Sequence, residues 1–570
     1  MRVAMFGLGK PRKDPLVDVK GVDRWLTSFN ANDPLAMHVE LVAELGHVAD
    51  RDARRTLGAL QALFHADAGT RELRRLLTAQ YIEHANRSGK IEHQLWQALF
   101  DLTHGFGRAY AAFGRDMIEH AQDVKWQAFS PELIARQVAH LGLDSKIRMF
   151  RYEAWIPGKW MELHTLYSLA CVQQIEHRPI TLAGAEGVTT IEQKYLNVLA
   201  LQLANTGNVT PSYLEWLATQ LDEWCTQLRL VAEPVTSSSF YVDPAQREGL
   251  RRVSAVAPKS RILYVDTRTL HSRLRQHVLA LEQRIKAAPL SSRTVRRVEQ
   301  LSMLTKIAAQ VDGEFRPIPR RGERTSAEGA VDAIVGFTRI SGYLREEDRS
   351  PMRELDTGTS FSETMELAVF GRVRNDGNRR KEMTSRRLAT FAPAGGAWAI
   401  RDKSATGFRL TAAVDPANPL TLGMLVALRP HAEIVWTLGV VRRMKRLTVS
   451  SVEIGVQAIA DTVVGVDLVE QRVITDDHYS VDGESVRDGR PFGALFLALR
   501  RRETQSAVQS LVVPASEYHP AKRFRLQTRQ SSYPVRFGRL LEEQPDWVWV
   551  AVDPLKLDEK SVRVEPAPAG

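Results

Sequence analysis

An aspartate, a serine and a glycine stand at Asp402-x-Ser404-x-x-Gly407, inside the run from Trp398 to Leu410. Just upstream, Arg372, Arg374, Arg379, Arg380, Arg386, Arg387 and Lys381 crowd residues 371–387, against only Asp376 and Glu382. Arginine forks match phosphate oxygens and the O6/N7 edge of guanine, and their planes stack on bases. A carboxylate such as Asp402 can accept from guanine N1–H and its amino group. The Ser404 hydroxyl offers a second polar contact, and Gly407 lets the backbone turn or approach where a Cβ would clash. The chemistry implied is recognition of a small ligand carrying both phosphates and a guanine face.

Such residues need a rigid frame, and the following sequence supplies one. Phe408–Ala412, Gly423–Leu428, Ile434–Val441 and Ser451–Gln457 are strand-length runs rich in Val, Ile and Leu, bounded by Pro, Gly, Asp or basic turns. Val452, Ile454 and Val456 alternate with Glu453, Gly455 and Gln457, as in a half-buried strand. This order of strands, with Asp-x-Ser-x-x-Gly at its head, resembles the PilZ domains, which bind the bacterial second messenger cyclic di-GMP. The likeness covers roughly residues 380–462. It implies a six-stranded β-barrel with cyclic di-GMP clamped between an arginine loop and the Asp402/Ser404/Gly407 strand. The family's arginine motif is usually R-x-x-x-R, and no pair within 371–387 has that spacing. Arg379/Arg380 and Arg386/Arg387 bracket its expected place. Arg386 and Arg387 are favoured as the pair entering the first strand, with Arg379 and Arg380 as the clamp.

At 570 residues the chain has room for several domains. Its 44% hydrophobic and 25% charged residues are ordinary globular values. A net charge of +10 and a pI near 9.5 favour anionic partners. Two cysteines, Cys171 and Cys225, lie in apolar helical stretches and read as reduced core residues, which points to the cytoplasm. No stretch approaches the ~20 apolar residues of a membrane span. Gly7-Leu-Gly9-Lys10 lacks the third glycine of a dinucleotide loop, since Arg12 stands there, and no P-loop is present.

Residues 34–310 carry helical periodicity. Leu270, Leu274, Val278, Leu281 and Ile285 form one stripe, and Tyr195 to Leu203 form a denser one. The stretch around Asn205–Gly207 reads as a helix end, and Thr210-Pro211 as a helix start. An interruption at 231–265 contains short extended runs. The pairs Glu83-His84, Glu92-His93, Glu119-His120 and Glu176-His177 put neighbours about 100° apart on a helix, so none makes a one-faced chelate. H-E-x-x-H and nucleophile-elbow motifs are absent. This half also faintly resembles the N-terminal region of large proteobacterial PilZ proteins, around Trp155–Trp160 and Tyr195–Thr210.

The expected architecture is α+β and multidomain. It comprises an all-helical region at 1–315, a basic, Pro-broken connector at 316–362 and a PilZ-like barrel with its arginine loop at 363–462. A β-rich domain at 463–556 and a tail at 557–570 follow. The expected function is a non-enzymatic cyclic di-GMP effector without a metal or further cofactor, whose helical module meets a protein partner. Two alternatives stay open: a scaffold whose barrel binds protein only, and a basic nucleic-acid binder with steep salt dependence.

Overall fold

In the computed structural model the described residues are 14–29, 33–50, 55–85, 89–182, 187–204, 207–234, 239–253, 261–287, 292–314, 325–349, 398–404, 406–414, 419–431, 435–448, 450–474, 485–498, 510–519, 522–527 and 532–554. The chain divides into a helical unit and a β unit.

The helical unit begins with α1 (Val19–Thr27), α2 (Pro34–Asp50), α3 (Leu57–Gly69), α4 (Arg71–His84) and the long α5 (Gly89–Glu119). It continues through α6 (Val124–Gln127), α7 (Ser130–Phe150), α8 (Pro157–Val172), α9 (Ile191–Ala204) and α10 (Pro211–Trp224). Local chemistry sets several starts. Asp18 accepts from the Gly21 amide and Thr56 from that of Ala59, while Pro131, Pro157 and Pro211 occupy first turns, where no amide is needed. A small antiparallel sheet interrupts the helices: β1 (Leu230–Val231), β2 (Phe240–Val242), β3 (Arg251–Arg252) and β4 (Leu263–Val265), in the order β1-β4-β2-β3. Two helices follow, α11 (Arg268–Lys286) and α12 (Ser292–Val311), of which residues 282–301 divide with the β unit. Leu270, Leu274, Val278 and Leu281 are buried, as their spacing requires.

A charged cluster lies inside this unit. Asp67 receives Tyr110 Oη at 2.9 Å, Arg136 Nη1 at 2.7 Å and His140 Nε2 at 3.2 Å, and pairs with Arg74 at 2.8 Å. Burial opposes ionisation of Asp67, but His140, Arg74 and Arg136 outweigh it and hold the carboxyl well below the usual carboxylate range. The Arg136 guanidinium also sits 4.8 Å from the Phe64 ring centre. Removing Asp67 would leave Arg74 and Arg136 in the core without their shared carboxylate, so the cluster fixes how α3, α4, α5 and α7 meet.

The β unit is built from two closed barrels. The first comprises β5 (Thr325–Val335), β6 (Trp398–Ser404), β7 (Gly407–Ala413), β8 (Leu425–Pro430), β9 (Thr437–Thr448) and β10 (Ser451–Ala460). Around the ring they run β5-β6-β7-β10-β9-β8. The first strand thus comes from a segment that the sequence reading gave to a connector. Beyond it Gly336, at φ +85°, turns the chain into α13 (Phe337–Arg349). The span 316–362, expected as a connector, therefore holds a strand and a helix.

The second barrel uses β11 (Thr462–Ile474), β13 (Phe492–Ala498), β14 (Ser510–Pro514), β15 (Arg523–Gln527), β16 (Ser532–Glu543) and β17 (Trp547–Pro554). The short β12 (Ser485–Asp488) pairs with β11 outside the ring. Its ring runs β11-β13-β14-β17-β16-β15. In both barrels the members follow in the order first, second, third, sixth, fifth, fourth. The fold class expected from sequence is therefore present, with the C-terminal β-rich part closed into a barrel of the same strand order.

The two barrels share a core. Phe337, Ile340 and Tyr343 of α13 are buried with Leu438 of the first barrel and with Val463 and Leu495 of the second. Arg345 Nε lies 3.0 Å from Asp467 Oδ1, and Trp547 Nε1 donates to the Gly423 carbonyl at 3.1 Å.

Candidate functional site

The Asp-x-Ser-x-x-Gly residues form the hairpin between β6 and β7. Ser404 pairs with Gly407 across the ladder, so the chain reverses between them. Ser404 Oγ donates to the Gly407 carbonyl at 3.2 Å and accepts from the Thr406 amide at 3.4 Å. The serine thus closes its own turn. A Cβ on Gly407 would stand 2.1 Å from the Val456 carbonyl oxygen, so only glycine lets β10 approach this closely.

Asp402 is directly opposite Arg409 on β7, and the arginine Nε lies 2.7 Å from Asp402 Oδ2. The aspartate is 8% exposed, whereas the Arg409 side chain is 44% exposed. Glu453 Oε2 stands 3.9 Å from Arg409 Nη1. The expected acceptor is therefore covered by a cation, Arg409, that lies outside the Asp-x-Ser-x-x-Gly pattern. The outward direction of Arg409, though not its partner, follows from the sequence. Phe408, Leu410 and Ala412 alternate inward along β7, which leaves Arg409 on the outer face two residues past Gly407.

That outer face is strongly basic. Arg401, Arg409, Arg443 and Lys445 are exposed on it, with Glu453 half-buried among them. On the far side Ser326 of β5 is the register partner of Asp402, and Thr325 that of Lys403. Of the residues expected from sequence, the structure brings Asp402, Ser404 and Gly407 together. Arg379, Arg380, Arg386 and Arg387 lie outside the described residues.

The helical unit offers less chemistry. Among the described residues no group of three or more His, Cys, Asp or Glu could hold a metal ion. Both cysteines are free, and burial pushes the Cys225 thiol up, away from the reactive thiolate. Glu192, buried between Tyr167 and His177, is held above the usual carboxylate range by burial. No helix among the described residues is long and apolar enough to cross a membrane.

Comparison with known proteins points to the helical half. Residues 20–234 match the family model of the N-terminal domain of the cyclic-di-GMP receptor FimW. Over 205 residues the chain is 24% identical to the cyclic-di-GMP receptor FimW of Pseudomonas aeruginosa, a stretch covering 35% of this chain and 32% of that protein. The chain thus matches about a third of that relative's length. It is distantly similar to a second-messenger receptor, and the family match lies within the helical unit.

Proposed function

We propose that this chain is a cyclic di-GMP-binding signalling effector whose ligand sits at the β6–β7 hairpin of the first barrel, under a cationic arm. The observation that carries this reading is Asp402, Ser404 and Gly407 on one hairpin of a closed six-stranded barrel, beside exposed Arg409 and Arg443. The likeness of the helical half to a protein named as a cyclic-di-GMP receptor supports the same ligand from an independent part of the chain. The helical unit is then the output module, meeting a protein partner.

The arginine half of the clamp has two sources in the sequence. One is Arg379/Arg380 with Arg386/Arg387, upstream of Trp398 at the start of β6. The other is Arg316, Arg320, Arg321 and Arg324, leading into Thr325. Arg320 and Arg324 have the R-x-x-x-R spacing missing from 371–387, and Arg324 is bonded to the residue whose register partner is Lys403. The β5–β6 register favours this second group. Trp398 is opposite Val331, at the far end of the same ladder.

Isothermal titration tests the reading. Cyclic di-GMP is expected to bind at micromolar or tighter affinity and to outcompete GTP, cyclic di-AMP and short DNA. Asp402→Ala weakens binding by ~1–3 kcal/mol, the scale of a good base contact. Arg320→Ala with Arg324→Ala weakens it more than Arg386→Ala with Arg387→Ala. An absence of heat and of thermal shift at millimolar cyclic di-GMP would remove the receptor reading in favour of the scaffold.

A further inference from the structure

We infer that Arg409 is the group that reads the guanine base, that Asp402 is its positioning residue, and that Gly455 is the floor on which the base lies. The inference rests on the cyclic di-GMP reading above and assigns how that ligand is recognised.

Three facts lead to it. First, the Asp402 carboxylate is buried and already holds Arg409 through Nε at 2.7 Å. Arg409 Nε already takes Asp402 Oδ2, and burial leaves little of the carboxylate open to guanine N1–H and its amino group. An arginine held through Nε still presents its terminal pair of Nη nitrogens, the fork that takes O6 and N7 of guanine. Glu453, 3.9 Å from Nη1, steadies that fork from the neighbouring strand. Two carboxylates thus aim one half-exposed guanidinium.

Second, the row across the barrel is Asp402, Arg409, Gly455, Arg443, each directly opposite the next. Gly455 is the member without a side chain. A Cβ there would meet just one atom within 4 Å, Arg443 Cβ at 3.3 Å. Strands are spaced ~4.8 Å apart, so Arg409 and Arg443 stand ~10 Å apart across a bare strip, wide enough for one purine.

Third, the far wall of this strip is a cation. Arg443 is exposed, and β9 has a register shift where Gly455 gives way to Val456. The bulge keeps Arg443 on the ligand face while Arg442 turns to Glu542 of the second barrel. A base seated on Gly455 therefore meets a guanine-reading fork on one side and a phosphate-matching one on the other.

The test uses the full chain and three ligands: cyclic di-GMP, its 7-deaza analogue lacking N7, and its inosine analogue lacking the 2-amino group. Wild-type protein is expected to lose about tenfold in affinity for the 7-deaza ligand, equivalent to ~1.4 kcal/mol, and less than about threefold for the inosine ligand. Arg409→Ala and Arg409→Lys, which lack the fork, are expected to bind cyclic di-GMP weakly and no longer to separate it from the 7-deaza ligand. Thermal unfolding is the check that both variants are folded. Discrimination against inosine without discrimination against 7-deazaguanine would overturn the assignment and leave Asp402 as the direct reader, with the receptor reading standing. Unchanged affinity in Arg409→Ala would overturn it too. If wild-type protein binds none of the three, the receptor reading itself falls.

Discussion

Arg442 of β9 and Glu542 of β16 belong to different barrels and meet as a two-pronged ion pair: Nη1 lies 2.7 Å from Oε1, and Nη2 binds Oε2. Arg442 Nε is committed to Gln457 Oε1 at 2.9 Å, so all three guanidinium nitrogens are used. The pair closes the edge of a core that contains residues of both barrels. The two barrels are therefore expected to unfold in one cooperative step. A double-mutant cycle of Arg442→Ala and Glu542→Ala read by urea denaturation should give a coupling of ~1 kcal/mol. Two separate β transitions in the wild type would contradict this.

In the helical unit, Asp67→Ala leaves Arg136 and Arg74 without their shared carboxylate and is expected to cost ~3–5 kcal/mol. Because the folded carboxyl lies well below its ordinary value, its contribution is complete above the unfolded value of about 3.9 and is lost as pH falls through the folded one. Acid unfolding followed by circular dichroism should show wild type and Asp67→Ala converging at low pH. A constant gap down to the most acidic point would refute the charge-based account.

Glu192 has the opposite sign. Its folded carboxyl is raised by burial, so its stabilising contribution is present in acid and is lost as pH rises through the folded value. Glu192→Gln, a neutral mimic of the protonated form, should raise the melting temperature at pH 8 and leave it unchanged near pH 4. Equal shifts at both values would point to packing alone.

Gly407→Ala should destabilise the β unit by ~1–3 kcal/mol and abolish ligand binding, because the new methyl group has a carbonyl oxygen 2.1 Å away. Gly329→Ala, on β5 with nothing within 4 Å of the added carbon, is the matched control and should be close to neutral. Differential scanning fluorimetry of the two variants side by side decides it.

How much of this was legible beforehand varies by element. β7 and β10 were readable because one face of each is buried. Val452, Ile454 and Val456 face inward, as their alternation required. The first strand was not readable as part of the barrel, since α13 and residues 350–397 stand between it and β6. The contact of Asp402 with Arg409 was hidden for a different reason. The β6–β7 register shifts between Ile400 and Asp402, and pairing inferred without that irregularity is off by one residue, which reverses every face. The motif itself was visible as a pattern, but Ser404 and Gly407 prove to be committed to turning the chain. Outward-facing Arg409, two residues on, lay outside the pattern.

The seating of α13 has a mechanical consequence. A Cβ on Gly465 would stand 2.6 Å from the Arg345 amide nitrogen, and one on Gly493 would stand 2.6 Å from Ser341 Oγ. The helix thus lies like a key in a slot cut by two missing side chains, and its other end is welded through Gly336 to β5, the strand beside Asp402. A key in its slot transmits torque and forbids slip. Movement of β5 is therefore expected to carry α13 and the second barrel with it.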